Sequence, residues 1–247
     1  MPTTPEIDRS SSGREILGFT VEASDGPIGH IQDLYLDDRL WTVRHLVVET
    51  VHPLGRQVLL RPAAIRRVEH ARRVLRTDLS GLQIGSGPSS AAARPVSRQH
   101  GLLLEHGYRF PSYAVSVAAA VVLTPSMLDR GGEPGDDPHL RSAREIIGYH
   151  VHALDDEVGH ATDFLFADGS WTIHYLVVSV GGWWPVRKVL VPVGWIAHVS
   201  WGARAVEVHL PSASLRLAPA YDPGARDDEE YRERVDHYYG RGPFDAS

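Results

Sequence analysis

Fourteen histidines and 31 carboxylates are the groups with which this chain could do chemistry, and it has no cysteine to add to them. Without thiols there are no disulfides, no thiolate metal ligands and no cysteine nucleophile. Two histidines, His30 and His160, follow a glycine in the same local sequence at an offset of 130 residues. Brought together across a two-fold axis, they could hold Zn²⁺ or Fe. No third ligand stands at coordination spacing, so the simpler expectation is a pair of rim histidines bonded to turns. His150 and His152 alternate along an expected strand and share one face, which could bind a metal but is more often simply solvated. Asp25, Asp33, Asp37, Asp38, Asp155, Asp156, Asp163 and Asp168 could act as acid and base only if two of them met in a cleft with divergent pKa values. They fall at expected turns, where aspartate serves backbone donors, and Asp33 and Asp163 are expected to hold a turn or cap a backbone group. GxSxG, a P-loop, GxGxxG after a strand and HExxH are all missing, so no enzyme is expected. Trp183 and Trp184 lie in an expected hairpin loop, with Trp195 and Trp201 close behind. Together with Tyr238 and Tyr239, the first three are the candidate partner-binding residues, since loop tryptophans either fold back on their domain or anchor a contact. Only Arg187 and Lys188 are basic nearby, which argues against base stacking on RNA.

The elements that carry these residues come from a duplication. Glu15–Thr50 and Glu145–Val180 align without a gap, and 15 of 36 positions are identical. The identities include Gly18/Gly148, Gly29/Gly159, Asp33/Asp163, Asp38/Asp168, Trp41/Trp171 and two Leu-Val-Val triplets. After one inserted residue, Val58-Leu59-Leu60 aligns with Val189-Leu190-Val191, and Ile65 and Val68 align with Ile196 and Val199. Each unit reads as strands: Phe19–Ala23, Ile28–Leu36, Trp41–Thr50, Val58–Leu60, Ile65–Glu69 and Val74–Asp78 in the first. Asp25-Gly26 is a hairpin signal, and Asp37-Asp38-Arg39 and residues 167–170 are turns. Five or six short strands in ~70 residues predict a small closed barrel without exposed edges. Gly29 and Gly159 fall inside strands and predict a bulge or barrel corner; Gly18 and Gly148 precede a strand.

The chain thus divides into a disordered N-terminus (1–13), a first barrel (14–85), a partly helical linker (86–142), a second barrel (143–218) and a helical tail (219–247). In the tail, Asp228 caps a helix that Gly240 ends, and Tyr231, Val235 and Tyr238 share the face expected to dock on a barrel. Hydrophobic residues make up 43% and charged residues 23% of the 247, the balance of an ordinary globular protein. The net charge of −6 speaks against a broad phosphate-binding surface, hence against DNA. The N-terminus lacks the pattern of a signal peptide. The apolar run Ala114–Leu123 is half the length of a membrane helix and reads as a buried strand or core helix. The expectation is a cytoplasmic protein without cofactor, whose halves pack as a pseudo-dimer and which could pair again as a homodimer.

The pattern Ile-Gly-x-x-Val, Asp-x-x-x-Gly-His, Asp, Trp-x-x-x-x-Leu-Val-Val, closed by Val189–Pro192 and Trp195-Ile196, resembles the PRC-barrel family. Residues 182–185, Tyr221-Asp222-Pro223 and Tyr238–Arg241 are similar to a tandem-barrel bacterial subgroup. The first unit departs from it at Val51–Arg56, which lacks the double tryptophan, and at Glu105-His106-Gly107. The family is named after the cytoplasmic domain of the photosynthetic reaction-centre H subunit and includes a domain of a ribosomal-RNA maturation factor. The resemblance implies a mainly β fold and a non-enzymatic scaffold or protein-binding role at a photosynthetic or electron-transfer assembly on the cytoplasmic face of a membrane. It implies as alternatives a ribosome-maturation adaptor, or a stress protein binding a metal or small ligand. Fold likeness alone decides none of these.

Overall fold

The computed structural model describes residues 9–51, 55–99, 137–181 and 187–240. The run Ala114–Leu123 and the tryptophans Trp183 and Trp184 lie outside them. Among the described residues fourteen strands follow in order: β1 Ser10–Ser12, β2 Thr20–Ala23, β3 Gly26–Asp37, β4 Thr42–Thr50, β5 Gln57–Leu60, β6 Ile65–Glu69, β7 Val74–Thr77, β8 Leu140–Ser142, β9 His150–His152, β10 Glu157–Ala167, β11 Ile173–Val180, β12 Arg187–Pro192, β13 Ile196–Ser200 and β14 Ala205–Val208. They build two seven-stranded sheets of identical plan. The first runs β5-β4-β3-β2-β7-β6 and the second β12-β11-β10-β9-β14-β13. All pairings are antiparallel except β2 with β7 and β9 with β14, which are parallel.

The seventh strand of each sheet comes from the other unit. β1 precedes the first unit yet pairs with β10, setting Ser11 opposite Phe166. β8 precedes the second unit yet pairs with β3, setting Arg141 opposite Leu36. This corrects two expectations. Ser10–Ser12 belongs to no disordered terminus, and Leu140–Ser142 to no linker, because each forms an antiparallel ladder with the opposite sheet. The expected closure is also different in kind. Among the described residues no ladder joins β5 to β6; the 3₁₀ turn Pro62–Ala64 links them along the chain. The outer edge of β5 is covered instead by Ser89, which bridges Val58, while Leu59 donates its N–H to Pro88. In the second unit Ala220 bridges Val189, so the two edges are treated alike.

A single apolar core crosses both units, from Ile16, Phe19 and Leu46 to Phe164, Leu176 and Val206. The alternation of β4 explains how: Val43, Leu46 and Val48 face this core, while Val47 turns to a second cluster with Tyr35, Leu59 and Leu140. The units meet at Thr42 and Thr172, which form an antiparallel bridge. Val43 donates its N–H to the Trp171 carbonyl (2.9 Å) and Ile173 to the Trp41 carbonyl (2.6 Å). Both tryptophans have positive φ, +49° and +59°, a conformation that bulky residues rarely adopt. Each is buried, and Trp171 stacks on Phe166. Trp41 and Trp171 therefore occupy the same place in their units, beside an approximate two-fold axis.

Candidate functional site

The repeated aspartates are brought to the junction between the units, where they hold each unit to the other's leading segment. Asp163 accepts from the Ser12 hydroxyl and from the Arg14 N–H (2.9 Å). Asp33 does the same for Ser142 (2.5 Å) and Arg144 (3.2 Å). Ser12 and Ser142 in turn accept from the N–H groups of Glu15 and Glu145, capping the short helices Gly13–Ile16 and Ala143–Ile146. Each aspartate thus finishes the N-cap of a helix that belongs to the opposite unit. Both cap backbone groups, one of the two roles expected of them, and neither lies at a turn: both stand within long strands at a register shift, where the ladder leaves a carboxylate free to turn away.

Burial pushes the carboxyls of Asp33 and Asp163 up from the usual carboxylate value, outweighing the donors from Ser142 and Ser12 that would lower them. A carboxyl raised in the folded state contributes stability that is complete below its unfolded value near 3.8 and is lost as pH rises through the folded value. Asp163→Asn removes that loss. Its melting temperature minus that of the unaltered chain is expected to grow more positive as pH is raised from about 4 to 7. A difference that stays flat, or falls, would contradict the assignment.

A second layer of contacts closes the junction differently at its two ends. At one, Asp38 accepts from Arg141 Nε (2.5 Å) and faces His139 Nδ1 (2.9 Å). At the other, Asp168 accepts from the Ser11 hydroxyl and faces His70 Nε2 at 2.8 Å, while His70 Nδ1 faces Glu15 at 3.1 Å. His70 is buried between these two carboxylates, and both contacts are hydrogen bonds at once only when both ring nitrogens carry hydrogen. Arg226, from the tail, donates to the other oxygen of Glu15 (2.5 Å). Burial alone would raise the Glu15 carboxyl, but the bonds and charges of Arg226 and His70 together hold it below its ordinary value. Ser11 also approaches His70 (3.3 Å), so Ser, His and a carboxylate adjoin here. Ser11 is fully buried, which denies it the exposed hydroxyl a nucleophile needs.

His70 was not legible as a functional residue, because the repeat places Trp201 at its counterpart and no identity marks it. The signal that could have found the junction was Ser12/Ser142 with Arg14/Arg144, identities just upstream of the aligned window.

The other sequence candidates are scattered. His30 is exposed, 3.6 Å from Glu49 of its own sheet, and His160 is exposed opposite Ser179 and His150. His150 and His152 do share an exposed face, with His150 facing Glu157 at 2.7 Å. Among the described residues no group of three or more His, Asp or Glu could hold a metal. The turn aspartates bind backbone: Asp25 takes the Gly81 N–H, Asp37 those of Arg39 and Leu40, and Asp155 that of Ser212. Gly18 and Gly148 have positive φ. Trp195 is half-buried and packs against the core.

The C-terminal helix, Glu229–Tyr239, starts at Asp228 and stops at Gly240. It buries Tyr231, Val235 and Tyr239, so the docked face contains Tyr239 and not the expected Tyr238. The i, i+4, i+8 row follows the barrel, anchored by the Tyr175 hydroxyl on Asp236 (2.6 Å). Tyr238 turns outward and its hydroxyl donates to the Ser214 carbonyl (2.8 Å).

Two seven-stranded sheets of one strand order define a mainly β protein of two like units. Residues 138–215 match the family model of the PRC-barrel domain, and the chain contains a PRC-barrel domain over that span. The match covers the second unit; the first repeats its strand order. No curated protein matches the chain. No helix among the described residues is long and apolar enough to cross a membrane.

Proposed function

We propose that this chain is a non-catalytic binding module, whose barrels form a rigid platform for a protein partner. The observation that carries the reading is a pair of large apolar side chains on one surface of the second unit. Leu217 is 75% exposed and Tyr238 40% exposed, and the hydroxyl of Tyr238 rests on the helix Ser212–Leu217 that bears Leu217. Arg187, at the start of β12, donates to the Arg216 carbonyl (2.9 Å) within the same surface. An aromatic and an aliphatic side chain beside a fixed guanidinium are the composition of a contact surface. Further support comes from the junction, where the repeated aspartates are occupied with backbone and hydroxyl donors. We read the first unit as a second domain of the same kind, and an electron-transfer or photosynthetic assembly as the setting that the family resemblance suggests. The test is capture from native lysate with the full chain and with Leu217→Asp, an exposed change that should leave melting unaltered. A protein retained by the former and lost by the latter supports the reading. An identical set of retained proteins rejects this surface.

A further inference from the structure

We propose that the first unit binds a small amphipathic carboxylate in a cavity where the second unit carries aromatic bulk. The 3₁₀ turns Pro62–Ala64 and Val193–Trp195 occupy the same place in the two units, so Ala64 stands where the second unit has Trp195. Likewise His45 lies opposite Tyr35 across β4 and β3, as Tyr175 lies opposite Leu165 across β11 and β10. In the second unit Trp195 packs on the core and Tyr175 is buried against the C-terminal helix. The first unit leaves a cavity of about 560 Å³, walled by Leu59, Leu60, Ala64, Leu79 and Ile84. That volume lies within the range of small-molecule sites, ~300–1,000 Å³.

One cation at this cavity is unengaged among the described residues. Arg61 lines it from an exposed position, and no hydrogen bond or ion pair engages its guanidinium among the described residues. The Nδ1 atom of His45 is buried and makes no hydrogen bond. The neighbouring Arg44 is already engaged by Asp37 at 2.6 Å, and Gln83 by the Ser80 N–H at 2.8 Å. Burial, together with the charges of Arg44 and Arg61, favours the neutral form of His45, which leaves Arg61 as the cation at this site. A carboxylate suits the planar fork of a guanidinium. An apolar tail would fill the volume that Trp195 and Tyr175 take up in the other repeat.

Decanoate and decanol, titrated into the full chain by calorimetry, test the proposal. Decanoate is expected to bind one per chain and saturably. Arg61→Gln, at an exposed position, should weaken decanoate at least about tenfold and leave decanol unchanged. Ala64→Trp should abolish binding of both by filling the cavity with the other repeat's residue. Should that variant fold poorly, Ala64→Leu provides the same test by a smaller occlusion. No saturable binding of decanoate to the unaltered chain, or undiminished binding to the folded Ala64 variants, overturns the site. Equal binding of decanoate and decanol, insensitive to Arg61→Gln, overturns the assignment of a carboxylate.

Discussion

Gly159→Ala is expected to lower the melting temperature by roughly 6–12 °C, the shift that about 3 kcal/mol produces in a chain of this size. A Cβ on Gly159 would stand 1.8 Å from the carbonyl oxygen of Ser179 on the neighbouring strand, and φ here is +149°. The obstacle is backbone inside a ladder and cannot rotate aside, so β10 and β11 would have to separate. Overpacking of that kind costs about 1–3 kcal/mol, and the backbone conformation adds about as much for a residue other than glycine. Gly29 repeats the close approach, with a Cβ placed 2.1 Å from the Glu49 carbonyl oxygen. Gly148 supplies the control. Its φ is +105° but a Cβ there would meet nothing within 4 Å, so Gly148→Ala should cost only the conformational part, about 1–2 kcal/mol. Thermal melts of the two variants side by side decide the matter. Equal losses would mean that strand proximity plays no part.

Splitting the chain between Arg130 and Gly131 should yield two polypeptides that are each poorly folded alone and form a stable 1:1 complex when co-expressed. Neither half can complete its own sheet. The N-terminal piece keeps β1, which it cannot pair, and lacks β8; the C-terminal piece has the reverse deficit. Each also loses half of a common core and exposes the paired tryptophans. Small barrels bury too little apolar surface to absorb such losses. Size-exclusion chromatography and melting of each piece and of the mixture supply the measurement. A C-terminal piece that is monomeric and melts with the intact chain would defeat this account.

Much of this architecture could be read before any coordinates. β4 and β11 were plain because their β-branched and aromatic residues alternate against a core, and the duplication exposed Trp41 and Trp171 as equivalent. What escaped was whatever depended on partners far along the chain. Ser10–Ser12 is three serines, with no strand propensity to betray it; only the edge of β10 makes it a strand. Tyr238 and Tyr239 differ by one helical position, about 100° around the axis, and which of them is buried is decided by how the helix sits on β12. The cavity in the first unit lay in plain view as Ala64 opposite Trp195, but a substitution becomes a hole only once the surrounding wall is known.

The exchange of leading strands also sets a timetable for biosynthesis. The strands β2–β7 leave the ribosome early, yet the cap that Asp33 completes and the strand that borders β3 belong to residues 140–144. At about 5–20 residues per second, some 3–13 seconds separate the end of β7 from the arrival of Ser142. During that interval the nascent first sheet has one unpaired margin at β3 and a buried-type carboxylate still in water. β1, made first of all, waits longer still, until Ala167 is available to receive Ser10. Contacts between such distant parts of a chain form slowly, so the chain should commit to its native state after synthesis of the second unit and in one cooperative step for both.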